Sequence, residues 1–247
     1  MNAKLLCTTL TTLALAATAL PAAAQTVATF TTGKDGFVGN VYRDTTVGNT
    51  APAMHALVEA FGISLRTTAN SAFIGNYTAT GSVDISLDVL TNSITYLGQE
   101  VSRYAVIELR DYDNPAEGYP YTSVWTTIGT LSAAISGWQH LTLHIDDTSS
   151  TALPEGWGGY GAEDPVTLEP TLPAGRTFAS VLASVDEFVF TTYVPGYYYG
   201  FTNFDVVMDN VSINHIGAVP EPASVLLLTA GLGGVLLRTR RRPAARD

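Results

Sequence analysis

Between Gln25 and Ala218 the chain repeatedly alternates apolar and polar residues. Ser82 to Leu90 puts Val83, Ile85, Leu87 and Val89 on one side and Asp84, Ser86 and Asp88 on the other. Arg103 to Arg110 groups Ala105, Ile107 and Leu109, and Gln139 to Ile145 sets Leu141, Leu143 and Ile145 against His140, Thr142 and His144. Val185–Thr191 and Phe204–Ile213 continue the pattern. Successive side chains of a strand point to opposite faces, so these segments read as half-buried strands. Turn formers separate them, as at Asp113-Asn114-Pro115 and Val194-Pro195-Gly196. One buried face and one wet face, repeated at short intervals, predict an all-β fold: a two-sheet antiparallel β-sandwich. Helical crossovers are lacking, which argues against a parallel α/β sheet. The best helical candidate is the short Pro52–Phe61 segment (PAMHALVEAF). Asp146 to Arg176, rich in Pro, Gly and acids, is too long for a plain connector. It reads either as a functional loop or as a surface insertion.

The two ends differ from this middle. Residues 1–24 have a basic start at Lys4, an apolar stretch from Leu5 to Leu20, and small residues Ala22-Ala23-Ala24 before Gln25. That is the layout of a secretory signal peptide, to be cut by signal peptidase near Gln25. The only cysteine, Cys7, lies inside it, so the mature chain is expected to hold no disulfide or thiolate site and to depend on a packed core. Charge is segregated: six Lys and Arg face twenty Asp and Glu between Gln25 and Ala218, a net charge near −14. A body this acidic is not a nucleic-acid partner, because phosphate neutralisation needs clustered cations.

At the other end, Val219-Pro220-Glu221-Pro222-Ala223-Ser224 leads into the apolar run Val225 to Leu237, followed by Arg238, Arg240, Arg241 and Arg242. Those 13 apolar residues would make a helix of about 20 Å, a marginal span of a hydrocarbon core of about 30 Å. Ala223 and snorkelling arginines extend it a little. The arginines should stay cytoplasmic, which places the preceding domain outside. This segment closely resembles the PEP-CTERM protein-sorting domain of Gram-negative bacteria, also catalogued as an ice-binding protein C-terminal domain. The resemblance implies that Pro220, Glu221 and Pro222 are read by exosortase, a membrane-embedded cysteine protease, and that the helix is then removed or replaced. Two prolines keep the tripeptide extended, which suits a protease. The expected organisation is a signal peptide (1–24), an exported domain (25–218), a sorting signal (219–242, with a transmembrane helix over about 223–237) and a tail (243–247). The protein would cross the inner membrane, be anchored there transiently, and pass to the cell surface or the extracellular matrix.

A second resemblance covers part of the middle. Phe73 to Val89 (FIGNYTATGSVDISLDV), Gly137-Trp138 and the closing Phe204 to Val211 (FDVVMDNV) are similar to pieces of secreted laminin-B-like and carbohydrate-binding jelly rolls. That similarity implies a jelly-roll-like sandwich and a structural calcium ion held by Asp209, with Asp35 as a candidate second ligand. The competing reading has Asp209 bonding backbone amides at a turn.

Other candidate chemistry is sparse. His140 and His144 lie about 13 Å apart on a strand and read as exposed residues rather than a metal pair. Asp111 to Glu117 (DYDNPAE) collects oxygen ligands without EF-hand spacing and reads as a solvated turn or a calcium loop. No Gly-x-Ser-x-Gly, His-Glu-x-x-His or phosphate-binding loop occurs. Aromatic residues on loops are the better lead: Trp157, Tyr160, Tyr197, Tyr198 and Tyr199 are candidate sugar contacts, whereas Trp125 and Trp138 are expected in the core. Two functions remain: a non-enzymatic surface or matrix protein that binds exopolysaccharide, with no cofactor beyond that calcium, and a surface polysaccharide hydrolase or lyase. Paired carboxylates in a deep cleft would favour the enzyme.

Overall fold

The computed structural model describes residues 25–216; the expected signal peptide, Pro220-Glu221-Pro222, the apolar run and Arg238, Arg240, Arg241 and Arg242 lie outside the described residues. The strands are β1 (Thr26–Ala28), β2 (Val38–Gly39), β3 (Tyr42–Asp44), β4 (Ala53–Ala60), β5 (Ser64–Thr67), β6 (Ser82–Tyr96), β7 (Gln99–Glu100), β8 (Arg103–Asp111), β9 (Thr122–Leu131), β10 (Trp138–Ile145), β11 (Trp157–Tyr160), β12 (Ala162–Glu163), β13 (Pro170–Thr171), β14 (Glu187–Thr191) and β15 (Thr202–Ile216). Among the described residues the one α-helix, α1 (Phe178–Leu182), starts in a capping box between Thr177 and Ser180 and buries Phe178, Val181 and Leu182.

The strands form the expected antiparallel sandwich. One sheet has the order β10-β6-β15-β4-β3, with β1 beside β15 and β7 beside β6; the other has the order β11-β9-β8-β14-β5-β2. The alternation seen in the sequence becomes the core. Val83, Ile85, Leu87 and Val89 of β6 face Ile107, Leu109, Phe188 and Phe190 of the other sheet's inner layer, all at most 1% exposed.

Pro52–Phe61 is a strand, not a helix. Met54, Ala56 and Val58 point inward, while β4 pairs with β15 from Thr202 to Met208 and with β3 from Tyr42 to Asp44. Ala, Met, Leu and Glu favour helices only weakly, and ladder bonds on both sides outweigh that preference. The long Asp146–Arg176 segment supplies β11, which widens the second sheet, and the small β12–β13 ladder. In β15 a bulge lies between Asp209 and Ser212, with Asn210 at φ +49°.

Candidate functional site

The outer face of the six-stranded sheet carries the densest polar chemistry. Strand period two turns Leu109, Val124 and Phe188 inward, so Glu108 and Arg110 of β8, Ser123 and Trp125 of β9, Glu187 of β14 and Arg66 of β5 share the opposite face. Arg110 lies between two carboxylates. Its Nη1 donates to Glu187 Oε2 at 2.8 Å, and its Nε and Nη2 donate to Glu108 Oε2 at 2.9 and 2.6 Å. Arg66 Nη1 donates to Glu187 Oε1 at 2.6 Å, the Tyr112 hydroxyl to Glu187 Oε2 at 2.7 Å, and the Ser123 hydroxyl to Glu108 Oε1 at 2.6 Å. Glu108 and Glu187 are 1% and 0% exposed. Burial alone would raise the Glu187 carboxyl, but hydrogen bonds from Arg66 and Tyr112 and the Arg110 charge outweigh it and hold the pKa below the usual range. Two cations and two anions thus neutralise one another on the floor of this face.

Tyrosines stand above this floor. The Arg110 guanidinium lies 4.4 Å from the Tyr121 ring centre. Tyr121 packs 5.2 Å from Tyr160 and 5.6 Å from Tyr112, and Tyr119 packs 5.4 Å from Tyr160. The loop before β15 adds Tyr193, 6.5 Å from both Tyr198 and Tyr199, while Arg103 lies 5.4 Å from the Tyr199 ring centre. Burial, followed by neighbouring phenols and the Glu108 carboxylate, raises the Tyr160 pKa. Tyr121 is likewise raised, chiefly by burial. These phenols therefore stay neutral donors at physiological pH.

The structure divides the residues expected from sequence. Tyr160 lies on this face, and Tyr198, 90% exposed, and the half-buried Tyr199 border it. The Tyr197 hydroxyl donates to Glu169, which ties the loop to the β12–β13 ladder. Trp157 turns the other way: it lies opposite Thr126, packs on the core, and meets Phe178 edge-on at 4.9 Å. Trp125, expected in the core, lies on the outer face over Gly158, where a Cβ would come within 2.3 Å of its ring. Trp138, also expected in the core, is half-buried opposite Leu90. Sequence reasoning missed Glu108, Arg110, Glu187, Tyr112, Tyr119, Tyr121 and Tyr193. The alternation in Arg103–Arg110 already placed Glu108 and Arg110 on the polar side.

Asp209 is fully buried at the β15 bulge, where Oδ2 accepts the Thr50 N–H at 3.1 Å and Oδ1 the Asn210 N–H at 2.7 Å. Burial raises its pKa. N–H groups aimed at both oxygens suit a backbone-bonding aspartate and do not fit a calcium ligand, which needs several oxygens around one ion. Asp35 instead accepts the Phe30 N–H at 2.8 Å. Asp111, Asp113 and Asp186 do converge, with ligand atoms within 4.8 Å of one another. Asp111 is ion-paired with Arg176, however, and Asp186 accepts the Tyr112 N–H at 2.8 Å. His140 and His144 lie on the other sheet's outer face, bonded across strands to Asp88 and Asp84 at 2.7 and 2.5 Å.

Residues 218–242 match the PEP-CTERM protein-sorting motif. The chain carries a PEP-CTERM sorting signal. Such a signal indicates export and exosortase-dependent delivery to the surface or the extracellular space. No curated protein sequence matches the chain. Among solved structures, the chain is similar to the family 11 carbohydrate-binding module from Clostridium thermocellum in complex with a β-1,3-1,4-mixed-linked tetrasaccharide. That likeness has a TM-score of 0.44 at 14% identity and covers 81% of this chain and 100% of that one. A xylan-binding domain of family 22 gives a TM-score of 0.40 at 11% identity, covering 78% of this chain and 96% of that one. An agarase, AgWH50C, gives 0.40 at 12% identity, covering 74% of this chain and 23% of the enzyme. Likenesses this loose bear on neither ligand nor activity.

Proposed function

We propose that the chain is an exported, non-enzymatic protein that binds polysaccharide through the tyrosine-covered outer face of its six-stranded sheet. In this reading signal peptidase cuts near Gln25 during export across the inner membrane of a Gram-negative bacterium. The apolar run then anchors the precursor until exosortase acts at Pro220-Glu221-Pro222. The domain ends at the cell surface or in the matrix, where exopolysaccharide is its ligand.

The observation that carries this reading is the clustering of Tyr112, Tyr119, Tyr121 and Tyr160 over a floor of mutually neutralised Arg and Glu. Flat rings cover the C–H faces of sugars, and neutral phenols exchange hydrogen bonds with hydroxyls. The floor does contain two carboxylates, which a glycosidase also needs. A general acid, however, must hold its proton near neutral pH. Glu187 is pushed the other way, and Arg110 fills the space between Glu187 and Glu108.

The test is a glycan array probed with the exported protein, with reducing ends assayed in parallel on every glycan retained. Retention without release of reducing ends is the expected result. Catalytic release would replace the binding reading by the hydrolase, and eliminative cleavage by the lyase.

A further inference from the structure

The opposite side of the sandwich carries a second aromatic step. Phe61 follows β4 and Phe201 precedes β15, and the neighbouring residues Ala60 and Thr202 are directly paired. Their rings lie 4.1 Å apart at 44°. Each is half exposed, 50% for Phe61 and 55% for Phe201, and Leu57 nearby is 61% exposed. Elsewhere this outer face is polar, carrying the His–Asp pairs His140–Asp88, His144–Asp84 and His55–Asp205.

Beside the phenylalanines is a depression lined by Leu57, Glu59, Ser93, Asn203 and Asp205. Glu59 and Asn203 lie directly opposite each other on β4 and β15. Both are exposed, and neither side chain makes a hydrogen bond among the described residues. The pair is built into the fold: Gly200 carries the chain so close to Tyr96 that a Cβ would lie 2.3 Å from the ring. The loop thus leaves Tyr199 on one face and delivers Phe201 to the other within two residues.

A pair of exposed, mutually tilted rings flanked by an unused amide, a hydroxyl and carboxylates is complementary to the C–H face and hydroxyls of a pyranose ring. The ring's C–H face covers the phenylalanines while its hydroxyls donate to Glu59 and accept from Asn203. Glu59 and Asp205 repel uronate or sulfate groups, so the sugar must be uncharged. We infer that Phe61, Phe201, Glu59 and Asn203 form a second binding site, for a neutral glycan, on the face opposite the tyrosines. The two sites point away from each other, so the protein holds two polysaccharide chains at once and cross-links them. The cross-linking, though not the second site itself, rests on the tyrosine-face reading.

The experiment titrates the exported protein with cellohexaose, xylohexaose, laminarihexaose and agarohexaose while backbone amide shifts are followed by NMR. At least one hexaose is expected to move the amides of residues 57–61 and 203 as one saturable set and those around Tyr160 and Tyr198 as another. The double variant Phe61→Ala/Phe201→Ala should lose the first set, keep the tyrosine-face affinity within twofold, and no longer aggregate the matching polymer. Asn203→Ala, at an exposed side chain, should weaken the first set several-fold with an unchanged melting temperature. Tyrosine-face shifts alone would overturn the second site and leave the proposed function standing. Shifts at neither face would overturn both. A wild-type dimer that becomes a monomer in the double variant would assign the phenylalanines to self-association instead.

Discussion

Replacing Arg110 by methionine isolates the central charge of the tyrosine-covered face. Methionine keeps most of the stem's volume and removes three hydrogen bonds to two carboxylates that are 1% and 0% exposed. Glu187 keeps Arg66, whose side chain is 43% exposed, and Tyr112; Glu108 keeps only the Ser123 hydroxyl. Stranding a buried charge typically costs about 3–5 kcal/mol. For a domain of this size that corresponds to a fall in Tm of about 6–20 °C. The pH trend is the sharper diagnostic. In the wild type the Glu187 carboxyl titrates lower when folded than when unfolded. Its contribution is therefore complete above the ordinary glutamate value of about 4.3 and is lost as pH falls below it. In the variant the two buried carboxylates have lost the cation they share, so protonating them costs less, and the variant should regain stability relative to the wild type as pH falls from 7 to 5. Calorimetry of both proteins at pH 7 and pH 5 reads this out. Adding Glu108→Gln and Glu187→Gln to Arg110→Met should recover most of the loss at pH 7. A fall below about 3 °C, or one equal at both pH values, would refute the account of a charge-neutralised floor.

Four further outcomes can be measured. Gly158→Ala should displace Trp125, whose ring lies 2.3 Å from the new Cβ, costing about 1–3 kcal/mol and shifting tryptophan emission in a fluorescence melt. Asp209→Asn leaves one backbone N–H facing an amide that cannot accept it and should cost about 1–3 kcal/mol by chemical denaturation. Millimolar calcium should leave the wild-type Tm unchanged, and a chelator-reversible rise would restore the calcium reading. Glu221→Ala, within the matched sorting motif, should leave unprocessed precursor in the membrane fraction of a strain containing exosortase, as read by immunoblot.

The sandwich was legible in sequence wherever a strand alternates cleanly, as β6, β8 and β10 do. β4 was not, because Ala, Met, Leu and Glu read as helix until β3 and β15 are known to flank it. The opposite directions of Trp157 and Tyr160 were legible in principle, since positions three apart on a strand lie on opposite faces. The Glu108–Arg110–Glu187 cluster was half legible. Alternation placed two of the three on one face, but their meeting with Glu187 depends on β8 pairing with β14, a long-range choice that no local pattern fixes. The sorting motif was the easiest to read because its parts are contiguous in the chain.

β15 pairs with β4 over Thr202–Met208, with β6 from Asn203 to Ile216, and with β1 over Val211–Ile213. The sorting motif begins at residue 218, two residues after that strand ends. A pull between a held C terminus and anything bound at the tyrosine loop therefore runs along the strand axis. The ladder bonds lie across that axis, so they are loaded in shear and must yield together, whereas a strand peeled sideways from a sheet edge gives them up one by one. A load applied along β15 would thus be borne by one of the best-bonded strands of the sandwich.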